Sequence, residues 1–116
     1  VVIYVAGLAG YLLAKCAATA QRRKAKDWHD IAFVLINNDV GGPTGAAEEV
    51  NVVFSADLAA AATMLDDLAA NFADPQAQGP QVYADQVTLD DPNLDFATSA
   101  ADAVLAVEIF LSELNR

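Results

Sequence analysis

Apolar residues recur along this chain with two different periods, and the change of period marks the first elements. Val1, Val2, Ile3 and Val5 form a β-branched cluster that closes at Ala6 before Gly7, which predicts a short strand over residues 1–6. No second convincing strand follows to pair with it. From about residue 8 to 24 the repeat becomes helical, with Ala9, Leu12, Leu13, Cys16 and Ala20 on one arc and Lys15, Thr19 and Arg22 along its edge. An Asp in front of an apolar run is a good helix start. Asp27 is therefore expected to cap a second helix reaching about Asn38, with Asp30 at its N3 position. Neither Gly nor Pro separates the two segments, so one continuous helix is also compatible with the pattern. Trp28, Ile31, Ala32, Phe33, Val34, Leu35 and Ile36 cover most of the circumference of the second helix, as befits a central element packed on several sides.

The run Asn37 to Pro43 is rich in turn formers and ends that helix. A brief helix around residues 46–50 is expected after Thr44. Ser55 then caps a longer one to about Ala73, on which Leu58, Ala61, Leu65, Leu68 and Phe72 are spaced 3, 4, 3 and 4 apart and Asp66 and Asp67 face water. Residues 74–94 hold three of the four prolines and read as an ordered loop, with a strand or helical turn over 82–89. Thr98 or Ser99 caps a last helix to about Glu113 with Val104, Val107, Leu111 and Leu114 on one face. The expectation is one mainly α domain, a bundle of four to five helices with a short N-terminal β-strand.

Composition thins that core. Of the 116 residues 25 are alanine, which buries little area and favours close helix packing over bulk. The formal net charge is −10, yet five of the six basic residues fall between Lys15 and Lys26, and 14 of the 16 acidic ones lie outside residues 15–33. A polyanion such as a nucleic acid could meet this chain only at that island. One cysteine excludes an intrachain disulfide, one histidine excludes a Cys/His metal cluster, and the cytoplasm is the default compartment. The 14 apolar residues before Lys15 fall short of the ~20 that a membrane span requires, so no membrane role is expected. A chain opening on Val1 rather than Met reads as a segment of a longer or processed protein.

The chemistry concentrates where the island meets the second helix. Lys15, Thr19 and Arg22 on one stripe, with Arg23 and Lys26 after them, make a cationic groove at a helix N-terminus, a place that attracts phosphate through free N–H groups and the helix dipole. Asp27 shares the angular position of Ile31 and Val34, which turns it toward the packed side, where a carboxylate needs a donor; Lys15 is the first candidate. The bland alternatives are an ion pair with a helix cap, and a solvated basic face. Trp28 reads as a core anchor rather than a stacking platform, His29 as a lone imidazole, and Cys16 as an inert packed thiol.

The segment LLAKCAA, the following Arg22-Arg23 and KDWHDIAF resemble the helical C-terminal half of nucleotidyltransferase-like abortive-infection toxins of the AbiEii/AbiGii type. The match covers residues 11–33 and rests on Lys15, Ala18, Arg22 or Arg23, Lys26, Asp27, Asp30 and Ile31. The resemblance implies that Lys15 contacts a nucleoside triphosphate, that Asp27 supports catalysis and that Asp30 fixes the second helix. It also implies Mg²⁺ held by a Gly-Ser and Asp-x-Asp region of a catalytic half preceding this segment, and an antitoxin partner in a bacterial setting. This chain alone, with no cofactor of its own, is then not a competent enzyme. The alternative from another class is a non-catalytic helical module that binds a protein or self-associates, the homodimer forming through the orphan strand of residues 1–6.

Overall fold

The computed structural model describes residues 5–22 and 25–115. Among the described residues the chain forms six α-helices: α1 (Val5–Arg22), α2 (Ala25–Asn37), α3 (Gly42–Phe54), α4 (Ala62–Asn71), α5 (Gln78–Asp90) and α6 (Phe96–Glu113). A single 3₁₀ turn, Ser55–Asp57, separates α3 from α4. Helix α2 is the central element, lying along α5 and also packing on α1, α3 and α6. Its Trp28, Ile31, Ala32 and Leu35 are fully buried, while Phe33 is 45% exposed, so the packing covers most of its circumference but not all. The arc foreseen on α1 is real: Ala9, Leu12 and Cys16 are buried, and Leu13 packs partly against the same core.

The two segments flanking the basic island are separate helices. On one continuous helix Lys15 and Asp27 would lie about 18 Å apart at 1.5 Å per residue, whereas their head groups approach to 3.2 Å. Helices α1 and α2 therefore pack against each other as two separate elements.

Several expectations require correction. Val5 and Ala6 form the first turn of α1 rather than a strand, no strand occurs among the described residues, and residues 1–4 of the expected strand lie outside them. Edge-strand pairing is thus unavailable at Val5 and Ala6 as a route to a dimer. Asp27 is the third residue of α2 and not its cap. The brief helix at 46–50 is a full one, because Pro43 occupies the first turn of α3, where its missing N–H costs nothing. The helix expected from Ser55 to Ala73 is broken at residues 55–61, yet Leu58, Ala61, Leu65, Leu68 and Phe72 are all buried, so the spacing located the core correctly and the element wrongly. Residues 78–90 are α5 rather than loop. Pro80 sits in its first turn, and Gly79 admits the Phe72 ring, which a Cβ there would strike. Asp95, not Thr98 or Ser99, caps α6 by accepting from the Thr98 N–H at 2.9 Å. On α6 the buried face is carried by Ala100, Ala103, Ala106, Val107 and Phe110, with Val104 and Leu111 only partly covered.

The turn that ends α2 is organised by one side chain. The Asn38 amide donates to the carbonyls of Val34 at 2.9 Å, Leu35 at 3.1 Å and Gly42 at 3.0 Å. Its oxygen accepts from the N–H groups of Val40 and Gly42, each at 3.0 Å. It closes the C-terminal carbonyls of α2 and the approach to α3 at once. Asn38→Ala is expected to lower unfolding stability by about 2 kcal/mol, the upper range of a lost cap, measured by urea denaturation. A loss below a few tenths would show that water replaces the amide without penalty.

Candidate functional site

Helix α1 presents Lys15 one turn after Tyr11, and α2 presents Asp27 and Asp30 one turn apart, so the packing of the two helices gathers four polar side chains. The Lys15 ammonium donates to Asp30 Oδ2 at 2.8 Å and to Asp27 Oδ1 at 3.2 Å. It also stands 5.7 Å from the centroid of the Tyr11 ring, within cation–π range. Exposure grades the cluster: the Asp27 side chain is 4% exposed, that of Asp30 17% and that of Lys15 22%. The donor that a carboxylate on the packed side of α2 needs is thus Lys15, shared with a second carboxylate closer to solvent.

The hydrogen bond to Asp30, and behind it that to Asp27, holds the Lys15 ammonium above the ordinary lysine range against the opposing effect of burial. Burial first, and then the Asp30 charge, push the Tyr11 phenol upward. The cluster is a bridge between two helices with its cation already engaged, and Lys15 retains one ammonium hydrogen for a further acceptor.

Comparison of the chain with protein-family models, curated proteins and solved structures finds no match. The chemistry of the cluster therefore rests on the geometry of its own residues.

The remaining residues expected at the site divide. Thr19 does not line an anion groove: it is 1% exposed and its hydroxyl donates to the Cys16 carbonyl at 2.8 Å, within its own helix. Arg22 is the last residue of α1, and Arg23 lies outside the described residues. Lys26 is exposed and lines a groove between α2 and α5 of about 350 Å³, together with Ala25, His29, Val82, Gln86 and Leu89. Trp28 is fully buried and meets Phe72 edge-on, with centroids 6.0 Å apart. It anchors the core and offers no face to a ligand.

His29 stacks on Tyr83 with ring centroids 5.7 Å apart and tilts against Phe33 at 5.6 Å. Burial lowers its pKa below the ordinary imidazole range, and its Nδ1 has no hydrogen-bond partner among the described residues, so that nitrogen has no carboxylate behind it as in a catalytic relay. Cys16 is buried in the core, which raises its thiol to about 12 and leaves it inert as a nucleophile. Among the described residues no three His, Cys, Asp or Glu side chains group to hold a metal ion, and no helix is long and apolar enough to cross a membrane.

Tyr11 was missed in the sequence, although its position four residues before Lys15 on one helical face was a readable signal. Asp30 was read as a helper of helix α2, and its short bond to Lys15 depends on the angle at which the two helices meet.

Proposed function

We propose that this chain is the helical C-terminal portion of a nucleotidyltransferase-like protein of the AbiEii/AbiGii type, in which Lys15 contacts the polyphosphate of a nucleotide and Asp27 supports that contact. The observation that carries the reading is the 3.2 Å approach of Lys15 to a nearly closed carboxylate on the neighbouring helix. A surface ion pair has no need to turn one partner into the protein; a lysine that must meet a phosphate gains from a buried carboxylate that fixes its direction. Lys15 would donate to a non-bridging phosphate oxygen, and Asp27 would hold the ammonium on line. The described residues do not fit a Mg²⁺ site. The carboxylates that bind the metal and neutralise the polyphosphate would belong to a catalytic half, and this chain alone would bind nucleotide weakly without turning it over.

Titration of the chain with a nucleoside triphosphate, followed by amide NMR, tests this. The expected result is weak binding with shifts centred on residues 15, 27 and 30, and a loss of affinity of about tenfold to a hundredfold in Lys15→Ala, the worth of one charge-assisted hydrogen bond. Shifts of equal size in Lys15→Ala, or shifts confined to other helices, would remove the site.

A further inference from the structure

Asp30 is the closer of the two carboxylates on Lys15 and the more exposed. Its bond is 2.8 Å against 3.2 Å for Asp27, and its side chain is 17% exposed against 4%. The Lys15 side chain is itself the most exposed of the three at 22%, so an anion approaching from solvent meets an ammonium whose more exposed partner is the Asp30 carboxylate and whose more closed partner is Asp27. The two carboxylates stand three residues apart on one rigid helix and need no reorganisation to hold the lysine. A free anion has to compete with a partner already in place and is repelled by its charge.

We propose, on the footing of the phosphate reading above, that Asp30 is the specificity-determining residue of this site, a built-in competitor that keeps Lys15 from weakly charged oxyanions and yields it only to a polyphosphate. Asp27 fixes where the ammonium sits and Asp30 sets which anion can take it. A monophosphate offers one short acceptor edge against two fixed carboxylates. A triphosphate offers a row of oxygens, one of which can reach the remaining ammonium hydrogen before Asp30 is displaced. The role differs from that of a structural ion pair in its sign, because removing the charge of Asp30 improves binding where removing a structural contact weakens it.

The test uses inorganic phosphate and tripolyphosphate as probes, calorimetry and amide NMR as readouts, and the chain with Asp30→Asn, Asp30→Glu and the double change Lys15→Ala with Asp30→Asn. Asparagine keeps the shape and an acceptor oxygen for Lys15 but not the charge, so the fold is preserved. Asp30→Asn is expected to bind tripolyphosphate about tenfold tighter than the unmodified chain and to take up inorganic phosphate measurably. Asp30→Glu should restore the original preference, and the double variant should lose the gain. The Lys15 ammonium should also titrate at lower pH in Asp30→Asn. Tripolyphosphate binding at Lys15 that Asp30→Asn leaves unchanged or weakens would overturn the role of Asp30 and leave the phosphate reading standing. Absence of binding to the chain and to Asp30→Asn alike would overturn both.

Discussion

Replacing Trp28 by alanine is expected to reduce the unfolding free energy by about 3–5 kcal/mol, the range for deleting a large aromatic from a closed core. For a domain whose total stability is on the order of 5–15 kcal/mol, that loss leaves a marginal fold. Trp28 is fully buried on the central helix, and its edge-on contact with Phe72 ties α2 to the end of α4. The alanine-rich helices around it contribute little volume that could collapse into the space, which places the cost toward the upper end. Phenylalanine at the same position retains the ring contact and removes an indole N–H that finds no acceptor, so Trp28→Phe should cost only about 1–2 kcal/mol. Urea denaturation of both variants decides the matter; an alanine variant within 1 kcal/mol of the parent would show that the core is centred elsewhere. Because the ring has no exposed face, the phenylalanine variant should bind tripolyphosphate as the parent does, which separates the role of Trp28 from that of Lys15.

The second large effect is alkaline. Cys16 ionises near 9.0 when unfolded, but burial raises it to about 12 in the fold. Between those values the unfolded chain loses the thiol proton and the folded chain keeps it, so the unfolded state binds fewer protons and stability falls as pH rises. The stability is fully present below pH 9, and its loss is complete above pH 12; three pH units at ~1.4 kcal/mol each amount to roughly 4 kcal/mol. Tyr11 and Tyr83, raised chiefly by burial, and Lys15, raised chiefly by Asp30, act with the same sign above about their ordinary values of 10.0 and 10.5. The tyrosines begin to ionise in the unfolded chain between pH 9 and 10 as well, so the share of the thiol is the difference between the parent and Cys16→Ala over that interval. Guanidinium denaturation across that interval should show a decline about 1 kcal/mol larger in the parent than in Cys16→Ala. Parallel pH profiles for the two proteins would mean that the thiol ionises freely in the folded state.

How much of this was legible in the sequence varies with the range of the interaction that decides it. The apolar arc on α1, the near-encircled α2 and the spaced leucines from Leu58 to Phe72 are local patterns, and every residue of the last series is buried as its spacing required. The pairing of Lys15 with Asp27 was also readable, because a carboxylate turned toward a helix's packed side creates a need for a cation that the sequence supplies at few places. The helix boundaries were not. Gly42 and Pro43 read as a turn but open α3, where Gly45 must lack a side chain because a Cβ would overlap the Val40 carbonyl oxygen. Gly79 and Pro80 read as loop but open α5 for the corresponding reason, the nearness of Phe72. Glycine and proline signal a break in one dimension and a close approach or a helix start in three.

By itself the sequence determined the helical class, the faces that go inward, the isolation of the basic residues and the one carboxylate that would need an ammonium, since each follows from periodicity or charge within a few turns of chain. Only the tertiary structure decided that α1 and α2 are separate helices packed on each other, that Asp30 rather than Asp27 makes the shorter bond to Lys15, that Thr19 closes on its own helix and that Trp28 is sealed from any ligand. Those outcomes depend on the angle and depth at which helices meet, quantities set by the packing of residues far apart in the chain and carried by no local pattern.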